Sequence, residues 1–359
     1  MVDQRETRAL RGTSPARAAA AATLAAGLAL AGAGCSPDEQ TIAAGTVVAA
    51  PGVVDGDDAS VTVRVPTGAV RLGVADPAGA VGSDRAADGA SLLALEVAFD
   101  RSAVRSDVAD LARVPGAGSP VELAVEVAGE RYDVGTVGDP DGAVADDGSD
   151  ERLGGDVLVA VEGAPDLDDV TVVVGYDGLD QRVALVDGAR EPGPADPLYV
   201  AEREPRGPVT CDVDPAPRGV EVEGLACRAE RMVSVPYVPG AGWAAEGNTW
   251  AVVPLVVSVT GVATTAPATA DRGAYTVTGA DQSVALGGAP PVTELDVTKT
   301  GDGASYTSRL VFSLGADTPL DLDLRRTYAL RADSGAVPAR RELVLDAALR
   351  LPATLRPPG

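Results

Sequence analysis

Alternation of apolar and polar residues with a period of two constrains this chain more than any other feature. Leu93, Leu95, Val97 and Phe99 share one parity, while Glu96 and Asp100 occupy the other. Val121, Leu123, Val125 and Val127 repeat the pattern with Glu122 and Glu126 between them. Val157, Val159 and Val161 make a third run, and Val170, Val172, Val174 and Tyr176 a fourth. In an extended chain successive side chains point to opposite faces, so each run reads as a strand with one face buried. Helical spacing is nearly absent, and Ser102–Val114 is the one segment that fits a short helix. Gly, Pro and Asp clusters divide the runs, which predicts an all-β fold of antiparallel β-sandwiches.

The second half of the chain is patterned like the first. A shift of 160 residues lays Val253, Leu255, Val257 and Val259 on Leu93, Leu95, Val97 and Phe99. A shift of 153 lays Leu310, Phe312 and Leu314 on Val157, Val159 and Val161. The run Leu320-Asp321-Leu322-Asp323-Leu324 then follows through a small acidic loop. A shared order of elements predicts a tandem duplication.

The strand Trp250-Ala251-Val252-Val253-Pro254-Leu255-Val256-Val257-Ser258-Val259, with Tyr275-Thr276-Val277 and Arg309-Leu310-Val311-Phe312-Ser313-Leu314, resembles the telokin-like immunoglobulin-fold domains of secreted Gram-positive lipoproteins. The likeness covers about residues 208–350 and, more faintly, 59–187. It implies two tandem Ig-like sandwiches at the cell surface and carries over no functional residues, since that family has no known activity. Ala90 stands where Trp250 stands in the second half, and Pro254 inside its strand implies an edge or a bulge there.

The N-terminus carries Arg5, Arg8, Arg11 and Arg17, followed by an Ala/Leu-rich run from Ala18 to Ala33. That run is about 16 residues, shorter than the roughly 20 that a spanning helix needs. A charged opening, a short apolar stretch and small residues at its end are the grammar of a secretory signal. Gly32-Ala33-Gly34 leads into Cys35 and resembles a bacterial lipobox, although Gly32 stands where such motifs usually have Leu. The resemblance implies cleavage before Cys35 and acylation of its thiol. Ala31-Gly32-Ala33 also suits ordinary signal peptidase, and an uncleaved anchor is the third reading.

On this basis residues 1–34 are a signal peptide and 35–58 the lipidated cysteine with a flexible tether. Residues 59–187 and 208–351 are the two sandwiches, 188–207 a Pro/Gly-rich linker, and 352–359 a tail with no apolar run for a C-terminal anchor.

The net charge is −24, and removing a signal with four arginines and two acids takes the mature chain to about −26. Such a surface repels nucleic acid and anionic headgroups. Hydrophobic residues make up 45% of the chain but aromatics only 3%, so the cores must be built from Val, Leu and Ala. Of the three cysteines, Cys35 is assigned to lipid, which leaves Cys211 and Cys227 as a pair for a disulfide in an oxidising compartment. Two buried thiols are the alternative.

The absence of histidine removes Ser-His-Asp and Cys-His nucleophiles and every histidine metal site. No phosphate-binding glycine loop or nucleophile elbow is present. The acidic loop with Asp139, Asp141, Asp146 and Asp147 is a weak Ca²⁺ candidate, because Ala143 sits where a further ligand belongs. A solvated surface loop is the plainer reading, and no metal or other cofactor is expected. A partner surface is expected on the loop from Val238 to Asn248. Trp243 there is flanked by Gly240, Ala241, Gly242 and Ala244, and Trp250 begins the next strand as a core anchor. The alternative is that Trp243 folds back to plug the end of the sandwich.

The expected function is therefore non-enzymatic binding or envelope organisation by a lipid-anchored protein on the extracytoplasmic face of the cell membrane. Its partners would be membrane lipid through Cys35 and a protein or glycan, with no nucleic acid. The rival readings are an acid-pair hydrolase of envelope polymers and a Ca²⁺-dependent adhesion module.

Overall fold

The structure is a computed structural model that describes residues 40–50, 52, 58–104, 111, 120–137, 155–200, 208–213, 219–264, 273–334 and 340–351. The fold is all-β, built mainly from antiparallel sheets packed as sandwiches, with β1 and β6 the one parallel pair among the described strands. In the first half one sheet has the order β2 (Val47–Ala49), β10 (Gly155–Glu162), β7 (Ala90–Asp100), β4 (Gly68–Val74), β3 (Ala59–Val65). The facing sheet has the order β12 (Leu179–Ala184), β11 (Val170–Tyr176), β8 (Val121–Val127), β9 (Glu130–Val137). The expected parity holds, with Leu93, Leu95, Val97, Val157, Val159 and Val161 facing Leu123, Val125, Val172 and Val174 in one core.

On β7 and β10 the opposite face is buried as well, through Leu92, Ala94, Leu158 and Ala160. A small sheet of β1 (Thr41–Ile42), β6 (Asp84–Ala86) and β5 (Ala80–Val81) lies beside them, and Ile42, Ala50 and Ala86 cover that face. Part of the stretch expected as a tether is thus folded, since β1 pairs with β6 and β2 with β10. The apolar backs of β7 and β10 draw Ile42 out of solvent. The start of the expected linker is also docked. A 3₁₀ turn, Asp196–Tyr199, places Tyr199 against β3. Of the expected helix, Ser102 and Ala103 lie in the 3₁₀ turn Arg101–Ala103, Val104 is extended and Leu111 is helical; its other residues lie outside the described ones.

The second half is built from β13 (Val209–Thr210), β14 (Asp212–Val213), β15 (Val220–Glu223), β16 (Ala226–Ala229), β17 (Val233–Val235), β18 (Tyr237–Val238), β19 (Gly242–Trp243), β20 (Thr249–Ser258), β21 (Gly261–Thr264), β22 (Ala274–Leu286), β23 (Thr293–Thr300), β24 (Ser305–Leu314), β25 (Asp321–Ser334) and β26 (Arg340–Arg350). One sheet has the order β13-β16-β20-β24-β23, with β17 also on β20, and the other β14-β26-β25-β22-β21-β15. Six strands follow the same path in both halves. β4-β7-β10 corresponds to β16-β20-β24, and β8-β11-β12 to β22-β25-β26. This is the two-sheet arrangement of an immunoglobulin-like sandwich. Among the differences between the halves, β9 stays with β8, whereas β23 crosses to β24.

The expectation that Pro254 marks an edge or a bulge needs correction. β20 is central, and its ten-residue register with β24 runs unbroken through Pro254 opposite Arg309. On its other side β20 pairs with β16 up to Leu255 and with β17 from Val252. Pro254 therefore faces the gap between two short strands. Its missing N–H removes no ladder bond, and its carbonyl accepts from the N–H of Glu230 at 2.8 Å.

Candidate functional site

The loop from Val238 to Asn248 packs against the first sandwich. β18 and β19 form a tight hairpin in which Tyr237 pairs with Trp243. Tyr237 lies in the apolar core of the first sandwich, and Trp243 packs half-buried against it. The Trp243 indole N–H donates to the main-chain carbonyl of Tyr176 at 2.9 Å. The rings of Tyr176 and Tyr237 meet edge-on at 5.1 Å, and Trp243 lies 6.1 Å and 5.4 Å from them. Such tilted contacts set the positive ring edge against the negative face. Burial pushes the Tyr176 phenol up to about 12, with the Asp177 carboxylate adding to the effect. Tyr237 is raised further by the same burial and by Tyr176.

Trp250 also sits at this joint rather than inside the second sandwich. Its indole N–H donates to the carbonyl of Gly242 at 2.8 Å. It packs with Val235, Val238, Val252 and Val311 of its own half and with Leu111 of the first, beside partly buried Val104. Each sandwich therefore contributes side chains to a cluster of the other. The two tryptophans expected at a binding loop are brought together here as a seam.

The disulfide joins Cys211 to Cys227 with a Cα–Cα distance of 5.4 Å, within the ordinary range for such a bond. It ties the residue between β13 and β14 to β16, where the Cys211 N–H also donates to the Cys227 carbonyl at 3.0 Å.

A polar cluster inside the second sandwich was not singled out by sequence. Arg326 of β25 is 1% exposed and lies between two apolar clusters, one around Tyr306 and one around Tyr328. Its Nη1 donates to Gln282 Oε1 and its Nη2 to the Gly303 carbonyl, both at 2.6 Å. The guanidinium carbon is 5.0 Å from the Tyr306 ring centre and 5.1 Å from that of Tyr328. On the other side Lys299, the only lysine, stands 5.9 Å from the Tyr306 ring, and Tyr306 Oη donates to Glu294 at 2.9 Å. A signal for Arg326 does exist in the sequence. It shares the parity of Leu322, Leu324, Tyr328 and Leu330, all of which are buried. Frequent arginine in this composition hid it.

The outer face of β22, β25 and β26 carries two hollows. One, of about 660 Å³, is lined in part by Ser283, Ala285, Asp323, Arg325, Asp346 and Ala348. The other, of about 630 Å³, includes Thr278, Ala329, Arg331, Arg341 and Glu342. Small and charged side chains are both among the lining, and Arg325 and Asp346 pair at 3.5 Å.

Cys35 and the acidic candidates Asp139, Asp141, Asp146 and Asp147 lie outside the described residues. Among the described residues no three His, Cys, Asp or Glu side chains gather as a metal site, and no helix is long and apolar enough to cross a membrane.

The fold and the seam define a disulfide-bonded protein of two Ig-like β-sandwiches joined through a shared aromatic contact. Compared with protein-family models, curated proteins and solved structures, the chain matches none.

Proposed function

We propose that this chain is a lipid-anchored extracytoplasmic protein, held at the membrane through Cys35, that acts by binding a protein or glycan rather than by catalysis. The observation that carries the reading is the Cys211–Cys227 bond. Stable disulfides belong to oxidising compartments outside the cytosol, which agrees with the export signal read at the N-terminus. Binding is favoured over catalysis because, among the described residues, the outer face of β22, β25 and β26 is a broad sheet surface. Its hollows over β22, β25 and β26 are lined by small and charged side chains, suited to an extended ligand lying across the strands.

Two measurements test the reading. Cells fed a clickable fatty acid are expected to label the protein, and Cys35→Ala to abolish the label; unchanged labelling of that variant removes the anchor. Ala329→Arg, which fills the face without touching either core, is expected to weaken attachment of the purified protein to envelope material at least tenfold. Undiminished attachment removes the face from the proposal.

A further inference from the structure

We propose that the segment from Ala189 to Tyr199 is a latch over the β3 edge, and that its release lets β3 pair with β3 of a second copy of this chain. The inference is independent of the surface-binding reading. β3 ends its sheet and pairs only with β4, in a register without a break from Ala59 to Val65. A strand in that position offers a row of N–H and C=O groups to any other extended chain. Arg64 shows which groups face outward: its N–H donates to Tyr199 Oη at 2.9 Å, and its carbonyl accepts from Gln181 Nε2 at 2.8 Å. Backbone direction alternates along a strand, so Ser60 and Thr62 turn their own groups to the same side. Both residues are exposed, and among the described residues no strand pairs with them there.

The longer edge strands elsewhere carry their own protection. β9 has Glu130, Asp133 and a break in register, β15 has Glu221 and Glu223, and β23 has Glu294, Asp296, Lys299 and a second break. Charges, lysine and bulges are the usual means of keeping such edges apart. β3 has no acid, lysine or bulge, and from Ala59 to Val74 the whole β3–β4 hairpin holds no Asp or Glu. Two copies of a chain with 53 acids repel over most of their surface, so an acid-free edge is where they can approach. The strand also suits a copy of itself. With a two-fold axis at Thr62, Ser60 meets the second copy's Arg64 and Val61 its Val63, and no like charges stand opposite. In that register the outward groups of Ser60, Thr62 and Arg64 all find partners.

The latch prevents this by taking the Arg64 rung. Because Arg64 would meet Ser60 of the other copy, a Tyr199 on each chain removes both outer rungs and leaves Thr62 alone. Its hold is polar and local. Arg190 pairs with Asp196 and lies 4.0 Å over the Tyr199 ring, and Arg64 Nη1 donates to the Leu198 carbonyl at 2.9 Å. The same segment covers the edge of β12, where the Ala184 N–H donates to the Ala189 carbonyl at 2.8 Å and the Glu191 N–H to the Arg182 carbonyl at 3.2 Å.

Analytical ultracentrifugation of the purified full chain over roughly 1 to 100 µM is the test. The wild type is expected to stay a monomer, and Tyr199→Ala to double its mass toward the upper end. Hydrogen exchange should then show the Thr62 amide of that variant gaining about tenfold protection as its concentration rises. Thr62→Pro added to Tyr199→Ala is expected to restore the monomer. The N–H it removes faces away from β4, so the β3–β4 ladder keeps its bonds. Should Tyr199→Ala fail to fold, Tyr199→Phe decides the matter, since it keeps the ring and loses the bonds to Arg64 and Gln181. A Tyr199 variant that stays monomeric throughout overturns the proposal. So does a dimer that survives Thr62→Pro, which would pair elsewhere, and so does a wild type that is already dimeric with the latch closed.

Discussion

The indole N–H of Trp243 donates to the carbonyl of Tyr176, 67 positions earlier in the chain and in the other sandwich. With Leu111 in the same apolar cluster as Trp250, this contact makes the two sandwiches share side chains across the seam. Trp243→Ala is expected to cost about 2–4 kcal/mol, as large-to-small changes at packed aromatic sites do. It should also split one calorimetric transition into two. Trp243→Phe, which loses the N–H but keeps a ring, should cost about 1 kcal/mol and preserve the single transition. One transition in the alanine variant would show that the seam does not couple the sandwiches.

Tyr199 closes the free edge of β3. The Arg64 N–H donates to Tyr199 Oη at 2.9 Å, the Tyr199 O–H donates to Gln181 Oε1 at 2.9 Å, and Gln181 Nε2 donates to the Arg64 carbonyl at 2.8 Å. Arg190 lies 4.0 Å over the Tyr199 ring and pairs with Asp196. Tyr199→Phe keeps the ring but breaks two bonds, at an expected cost of about 1–3 kcal/mol. Hydrogen exchange should show the Arg64 amide losing protection while the amides of β7 keep theirs; an unchanged Arg64 amide would remove this role.

Replacing Cys211 and Cys227 together by Ser is expected to lower stability by about 3 kcal/mol, the value for a loop of this length in the chain-entropy model. The loss should appear in the second sandwich, where the bond links β16 to the start of β14. Non-reducing mass spectrometry of exported protein checks the bond itself, and two free thiols would contradict it.

Stability should be flat from about pH 6 to 9 and fall above about pH 10. The chain has no histidine, so no imidazole titrates in the middle range. Burial raises Tyr176 to about 12 and also lifts Tyr199, Tyr237, Tyr306 and Tyr328. The unfolded chain releases these phenolic protons near pH 10 while the folded chain keeps them. Their contribution is therefore whole below about pH 10 and is lost as pH climbs through the folded values. Denaturant midpoints at roughly pH 7, 9, 10.5 and 11.5 test this; a decline between the first two would point to another titrating group.

Gly303→Ala should destabilise the second sandwich by about 1–3 kcal/mol. Its φ is +89°, and an added Cβ would meet the Ala280 Cβ at 2.9 Å. Wild-type thermal stability in this variant would refute the strain.

Much of the fold was legible because parity along a strand is local. Leu322, Leu324, Tyr328 and Leu330 share one parity and are all buried, and Asp321 and Asp323 share the other and are exposed. The same rule pointed Arg326 inward, but rarity is what marks a residue as special, and arginine here is common. The candidate site was less legible. The flexible surroundings of Trp243 suggested an exposed loop, whereas local sequence says nothing of a surface 67 residues away.

The sequence by itself determined the all-β class, the faces of most strands, the cysteine pair and the absence of any imidazole. Those properties depend on each residue and its near neighbours. Only the tertiary structure decided that β9 and β23 join opposite sheets, that Pro254 fits a central strand at a gap between two short ones, and that both tryptophans lie in a seam. Each of these is a choice among partners distant in sequence. Such choices are made by the surface that long-range packing removes from water, which no local pattern encodes.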